Sequence, residues 1–354
     1  MGLVDLRSDT VTRPTPAMRR AMAAAEVGDD VYGEDPTVMR LQETAAERFG
    51  MQAALLCPSG VMCNQLWLRV LARPGSEVLV EADCHLVNYE AGAGALLGGV
   101  QFRTLSGRDG LLEAGQVAAS VRPDVFPLTP TSLVCVEHTS NRGGGAYYSV
   151  DELRGLRSVT RAAGVPLYMD GARVFNAAVA AGVEPRAYGE QVDALMFSVS
   201  KALGAPVGSL MVGQADAIAE AVMWRRRYGG AMRQAGVVAA AGLVALEQMV
   251  ERLAEDHANA RLLATAAAEA HPEGVDPDRV RTNILYVAEV DAPALCAALR
   301  EHGVLAGAMD PRTVRLVTHP GVSAADCRRA ADALRAVFTG NGVVGPSGAG
   351  GGVG

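Results

Sequence analysis

Apolar residues recur along this chain at two periods. After Asp35-Pro36, the positions Val38, Leu41, Thr44, Ala45 and Arg48 fall at helical spacing, which predicts a helix through Arg48, stopped by Gly50. Short apolar runs follow at Ala53–Cys57, Val78–Val80, Ser132–Val136, Pro166–Met169, Ala194–Phe197 and Val207–Val212. Helix-patterned stretches, such as Met62–Ala72 and Val150–Ala163, lie between several of them. Runs of this length alternating with helices predict an α/β fold with a mostly parallel sheet covered on both faces. Such sheets place their ligand sites beyond the carboxyl ends of the strands.

The pattern changes after residue 213. Residues 214–270 are rich in Ala, Arg and Glu and read as almost wholly helical. A second alternation then begins, with a strand at Val280–Ala288, a helix at Ala292–His302, a strand at Thr313–Thr318 and a helix at Ser323–Phe338. The expected organisation is a large domain over 1–245, a smaller C-terminal α+β domain over 246–339, and a Gly-rich disordered tail over 340–354. There is no internal repeat.

Composition narrows the class. A chain of 354 residues with 49% hydrophobic and 20% charged residues suits a globular enzyme with a large core. The net charge of −7 argues against a nucleic-acid surface, and Arg225-Arg226-Arg227 is too short to make one. No apolar stretch reaches the roughly 18 residues of a membrane span, and the early charges of Met1–Asp9 do not resemble a secretion signal. The six cysteines form no CxxC pair; they are expected to be reduced thiols in a cytoplasmic protein.

One residue stands out chemically. Of the 32 lysine and arginine residues only Lys201 is a lysine, in Phe197-Ser-Val-Ser-Lys201-Ala-Leu-Gly. A guanidinium neither loses its proton at working pH nor forms an imine, whereas an ε-amine does both. Asp170 ends the Pro166–Met169 strand, and Ser59-Gly60-Val61 separates the first apolar run from the helix that follows. Ser-Gly before a helix is often only a cap, and a carboxylate at a strand end is often an ion-pair partner. Together with Lys201 they make a pyridoxal phosphate site: an imine-forming amine, a helix N-terminus for the phosphate, and a carboxylate for the pyridinium nitrogen.

Longer motifs carry a resemblance. Asp5-Leu-Arg-Ser-Asp-Thr-Val-Thr-Arg13-Pro, Gly28-Asp-Asp-Val-Tyr-Gly-Glu-Asp-Pro36, Asp170-Gly-Ala-Arg-Val-Phe-Asn176, Ser200-Lys-Ala-Leu-Gly-Ala-Pro-Val-Gly-Ser209, Gly229-Gly-Ala-Met-Arg-Gln234 and Val314-Arg-Leu-Val-Thr-His319 occur in order. From Val4 to Phe338 the chain resembles the low-specificity L-threonine aldolases, pyridoxal-phosphate enzymes of the aspartate-aminotransferase-like fold (fold type I). The resemblance implies that Lys201 holds the cofactor as an imine, that Asp170 binds its pyridine nitrogen, and that His85 stacks on its ring and acts as an acid or base. It implies that Gly60, Val61, Ser200 and Arg233 lie at or near the cofactor, that Ser8, Arg173 and Arg315 bind the substrate carboxylate, and that Tyr32 and Glu90 line the pocket. Tyr32 would come from a neighbouring subunit of a homotetramer built as a dimer of dimers. No metal ion, nucleic acid or membrane is implied.

The chain departs from the family where the usual Glu-Asn-Thr-His-Asn reads Glu137-His-Thr-Ser-Asn141. Ser140 thus replaces a histidine expected at the substrate hydroxyl, and His138 lies two residues earlier. Val61 replaces a threonine, and Arg226 a lysine. The implied reaction is retro-aldol cleavage of an L-β-hydroxy-α-amino acid to glycine and an aldehyde. His85, His138 or a water held by Glu90 are the candidate bases. The Ser140 replacement favours a rival within the same cofactor chemistry, namely elimination, racemisation, transamination or transaldol reaction on another amino acid. A non-catalytic protein using this fold is disfavoured by the intact Lys201 and Asp170. A nicotinamide site lacks its GxGxxG.

Overall fold

The computed structural model describes residues 2–339 and 343; the tail expected to be disordered lies outside the described residues apart from Val343. The chain divides into two compact units. One spans Thr12–Arg252, and the other joins the N-terminal residues through Val11 to the chain from Leu253 onward.

Strand β1 (Val4–Asp5) belongs to the second unit. In the first, β2 (Ala53–Cys57), β3 (Glu77–Glu81), β4 (Gln101–Leu105), β5 (Thr131–Glu137), β6 (Leu167–Asp170), β7 (Ala194–Ser198) and β8 (Ser209–Gly213) form one sheet in the order β2-β8-β7-β6-β5-β3-β4. All pairings from β7 through β4 are parallel, while β8 runs antiparallel to both β7 and β2. Twice reversed through β8, β2 therefore runs in the sense of the parallel set. The carboxyl ends of β2, β3, β5, β6 and β7 all meet one edge of the sheet.

The apolar runs made these strands legible because β3, β7 and β8 are buried at every position, as a sheet covered on both faces requires. Strand β4 was missed. Its sequence Gln-Phe-Arg-Thr-Leu is partly exposed throughout, as an edge strand can be.

The helices of this unit are α1 (Pro16–Ala23), α2 (Pro36–Phe49), α3 (Gly60–Leu71), α4 (His85–Asn88), α5 (Ala114–Ser120), α6 (Val150–Ala162), α7 (Val174–Ala181), α8 (Pro185–Gly189), α9 (Ala215–Arg227) and α10 (Gly236–Gln248). Helix α2 starts because Asp35 accepts from the Val38 amide and Pro36 has no amide to satisfy; Gly50, at φ 65°, ends it. Asp35 also accepts from the Gly236 amide at 2.8 Å, so one buried carboxylate caps α2 and holds the start of α10. Helix α3 packs its fully buried Trp67 under the sheet, where the indole N–H donates to the Leu195 carbonyl at 2.9 Å. Truncating such a side chain costs about 3–5 kcal/mol, so α3 is firmly seated.

The second unit adds β9 (Ile284–Val287), β10 (Val304–Leu305), β11 (Gly307–Asp310) and β12 (Thr313–Val317), with α11 (Leu253–Ala270), α12 (Ala292–Glu301) and α13 (Ala324–Thr339). Strands β11, β12 and β9 make an antiparallel sheet, and β1 pairs in parallel with β10. Leu6, Leu263, Leu285, Leu295, Val314 and Leu334 share its core.

This division corrects the expected boundaries. The pattern at 1–245 assigned the first residues to the large domain, but Val4 pairs with Val304 and Leu6 is buried in the core of the C-terminal unit. The division between units after residue 12 falls at Arg252, in the short break between α10 and α11.

Candidate active site

The carboxyl edge of the sheet gathers most of the expected residues. Ser59, after β2, caps α3 through its hydroxyl, which accepts from the Met62 amide at 3.2 Å. The amides of Gly60 and Val61, in the first turn, have no carbonyl four residues back within the helix to donate to. Together with the helix dipole they form an anion-favouring end.

Asp170 ends β6 in register with Glu137 on β5 and Met196 on β7. One of its oxygens accepts from the Ala172 amide at 3.2 Å, and the other from the Asn64 side-chain nitrogen at 2.8 Å. The same nitrogen donates to Glu90 at 2.6 Å, while the Asn64 oxygen accepts from the Tyr168 hydroxyl at 2.5 Å. Gln65, the next residue on α3, donates to the second Glu90 oxygen at 2.6 Å. Glu90 in turn lies 2.9 Å from His85 Nδ1, and a carboxylate can only accept there, so that nitrogen carries the proton. Polar side-chain atoms of His85, Glu90 and Asp170 all lie within 4.8 Å of one another.

Electrostatics sets the state of these groups. Burial pulls the His85 pKa down, but the Glu90 hydrogen bond and the charges of Asp170 and Glu90 outweigh it, and the net direction is upward; Lys201 opposes them. Glu137 moves up to about 7, through burial first and the Asp170 charge second, against the pull of the Asn141 and His85 amides.

Lys201 follows β7, in a loop closed by its own backbone. Its carbonyl accepts from the Thr12 hydroxyl and the Gly204 amide, both at 2.9 Å. Gly204 has φ +79°, a conformation costly for any residue with a Cβ. Lys201, Arg173, Asn176 and Ser198 line one small cavity. Ser200 lies beside Ser198, with their hydroxyls 3.2 Å apart.

Other expected residues make contacts of their own. Arg233 pairs with Asp29 at 2.8 Å, on the loop that carries Tyr32, which is 75% exposed. In the second unit, Ser8 accepts from the Thr10 hydroxyl at 2.9 Å, and Arg315 on β12 donates to the Arg7 carbonyl at 3.1 Å. His138 does not join the cluster. It follows Glu137 at the end of β5, where successive side chains face opposite ways. Its ring is fully buried 4.5 Å from that of Tyr188, Nδ1 accepts from the Tyr148 amide at 3.3 Å, and burial takes its pKa down to about 3. Ser140 uses its hydroxyl to accept from the Gly143 amide at 3.0 Å, closing its own turn.

Asn64, Gln65, Tyr168 and Glu137 were not anticipated. Asn64-Gln65 is a polar pair inside the mostly apolar stretch Met62–Ala72, and Tyr168 lies two residues before Asp170 on the same strand face; both signals were present in the sequence.

The donor set fits pyridoxal phosphate. Glu90, Glu137 and Asp170 are all buried, and the partly exposed His85 lies among them, with the charge of Lys201 reaching it. A protonated pyridine nitrogen would be a fitting partner for the Asp170 carboxylate. The open first turn of α3 suits a phosphate, and Lys201 supplies the amine.

The Beta-eliminating lyase family model matches residues 5–290. The low specificity L-threonine aldolase of Escherichia coli (strain K12) is 43% identical over 324 residues, covering 91% of this chain and 95% of that protein. Low-specificity L-threonine aldolase 1 of Arabidopsis thaliana is 40% identical over 335 residues, covering 92% and 94%. The solved threonine aldolase of Leishmania major superposes with a TM-score of 0.79 at 19% identity, covering 95% of this chain and 99% of that one. A structure of SPT with its PLP superposes with a TM-score of 0.73 at 17% identity, covering 96% and 88%, and both neighbours share the fold. On the sequence match across nine-tenths of its length, the chain belongs to the low-specificity L-threonine aldolase family.

Proposed function

We propose that this protein cleaves L-threonine, L-allo-threonine or another L-β-hydroxy-α-amino acid to glycine and an aldehyde, using pyridoxal 5'-phosphate held by Lys201. The observation that carries the reading is Asp170, a buried carboxylate oriented by Asn64 and the Ala172 amide at the same sheet edge as the chain's one lysine. Bound there, the cofactor supplies a protonated ring that accepts the electron pair released at Cα.

The residues divide the remaining work. Asp170 holds the proton of the ring nitrogen. The first-turn amides of Gly60 and Val61 bind phosphate, with Ser200 and Arg233 near it. Arg173, sharing the Lys201 cavity, binds the substrate carboxylate as a bidentate donor. The family resemblance, rather than any placement, is what gives Ser8 and Arg315 a share in that task and Tyr32 and Ser140 a role toward the substrate. His85 is the residue that takes the β-hydroxyl proton: its Nδ1–H is tied to Glu90, leaving Nε2 for exchange. The burial and low pKa of His138 support His85 over it.

The enzyme is read as a homo-oligomer, a dimer of dimers, in which the exposed Tyr32 serves a neighbouring copy. The six unbridged cysteines fit a reducing, cytoplasmic setting. Among the described residues no helix is long and apolar enough to cross a membrane.

The test incubates holoprotein separately with L-threonine, L-allo-threonine and phenylserine and measures glycine, alongside borohydride reduction and peptide mapping. Glycine from at least one substrate and a reduced adduct on the Lys201 peptide are expected. If none gives glycine while another amino acid perturbs the cofactor spectrum, the protein is a related lyase, racemase or transaldolase instead.

A further inference from the structure

Glu137 is absent from every role assigned above, yet it is buried beside the cluster. Its carboxylate accepts two backbone amides from different segments. One oxygen accepts from His85 at 2.6 Å, and the other from Asn141 at 2.8 Å. The first contact answers a local deficit. Helix α4 is a single turn of four residues, and the residue before it, Cys84, provides no side-chain cap. A helix start needs acceptors for its first amides. Glu137 supplies one from the neighbouring strand, as a charge-assisted bond.

The groups facing Glu137 are Asp170 from β6, His85 and Cys84 from the start of α4, Tyr148 from the segment before α6, and Cys135 from its own strand. Ionised, Glu137 accepts both amides. Protonated, it carries a donor on one oxygen, which then accepts only weakly, so one of the two bonds is compromised. Because its pKa is pushed up to about 7, both forms are populated near neutrality.

We propose that Glu137 is a positioning residue for His85, capping α4 from the adjacent strand while ionised and loosening that cap when it takes up a proton. The effect on catalysis rests on the aldolase reading above; the clamp itself does not. Activity therefore falls on the acid side because His85 is less well held over Asp170, in addition to any change in the charge of His85 itself.

The first test is a ¹⁵N-detected titration of holoprotein between about pH 5.5 and 8.5. The His85 and Asn141 amides should shift together with one midpoint near 7 in the native protein, and should not do so in Glu137→Gln, whose side chain has a single acceptor oxygen. The second test is the pH profile of kcat. The native acid limb should become shallower in Glu137→Gln, leaving only the part set by the charge of His85, with kcat at the plateau lower by about tenfold, the loss of one charge-assisted hydrogen bond, and with KM little changed. If the glutamine variant does not fold, Glu137→Asp keeps the charge on a shorter stem and should retain an acid limb with a lower kcat. Amides that titrate separately, or not at all, overturn the proposal. So does an acid limb unchanged in Glu137→Gln. Amides that titrate together in a protein that makes no glycine leave the clamp standing and sink the aldolase reading alone.

Discussion

The Tyr168 hydroxyl donates to the Asn64 side-chain oxygen, and this bond decides which way the amide points. With its oxygen engaged, Asn64 turns its nitrogen to Asp170 and Glu90. Without the hydroxyl, a flipped amide would present oxygen to two carboxylates. Tyr168→Phe should weaken cofactor affinity by roughly threefold to tenfold, and Asn64→Leu by roughly 10- to 100-fold, the range for hydrogen bonds to charged groups. Absorbance titration of apoprotein with the cofactor reads both.

The two histidines near the end of β5 should separate cleanly in kinetics. His85→Asn should lower kcat by on the order of 10²–10⁴, the usual worth of a positioned acid or base, while His138→Phe should leave it within about twofold. Initial rates of glycine formation at saturating substrate check the contrast. A large loss in His138→Phe that is correctly folded would move the base to His138.

Buried imidazoles should also make the protein acid-labile. His138 falls from the ordinary 6.5 to about 3, and His257 to about 4, both through burial. Between those values and 6.5 the unfolded chain binds more protons than the folded one, so stability drops as pH falls through this window. Calorimetric Tm values measured across it should decline, and His138→Phe should flatten part of that decline. Glu137 acts in the opposite sense: its raised pKa takes stability away as pH rises from 4.5 through about 7.

Two backbone positions should be sensitive to small changes. Gly204, at φ +79° in the loop behind Lys201, should lose about 1–2 kcal/mol as alanine. Asp35→Ala removes the acceptor of both Val38 and Gly236 and should cost about 2 kcal/mol or more. Chemical denaturation midpoints at constant slope measure each.

What the sequence revealed and what it hid follow from range. Strands buried on both faces announce themselves as local apolar runs, so β2, β3, β5, β6, β7 and β8 could be read directly. Lys201 and Asp170 showed because their residue types are chemically restrictive. The half-exposed β4 carries no such run, and the pairing of β1 with β10 has no local signature at all. The network around Asp170 was hidden for the same reason: Asn64 and Glu90 meet only after α3 is packed under the sheet. His138 looked equivalent to His85 as a residue type. Burial and partners separate them: His85 is tied to Glu90, while His138 is buried against Tyr188 and accepts from the Tyr148 amide.

The pairing of Val4 with Val304 also bears on how the chain matures. A nascent polypeptide would release its first strand roughly three hundred residues before the partner segment leaves the ribosome. The Thr12–Arg252 unit can close in the interval. The other unit must wait for nearly the whole polypeptide, and any amino-terminal tag or clipping that disturbs Val4 or Leu6 would strike the last part to assemble.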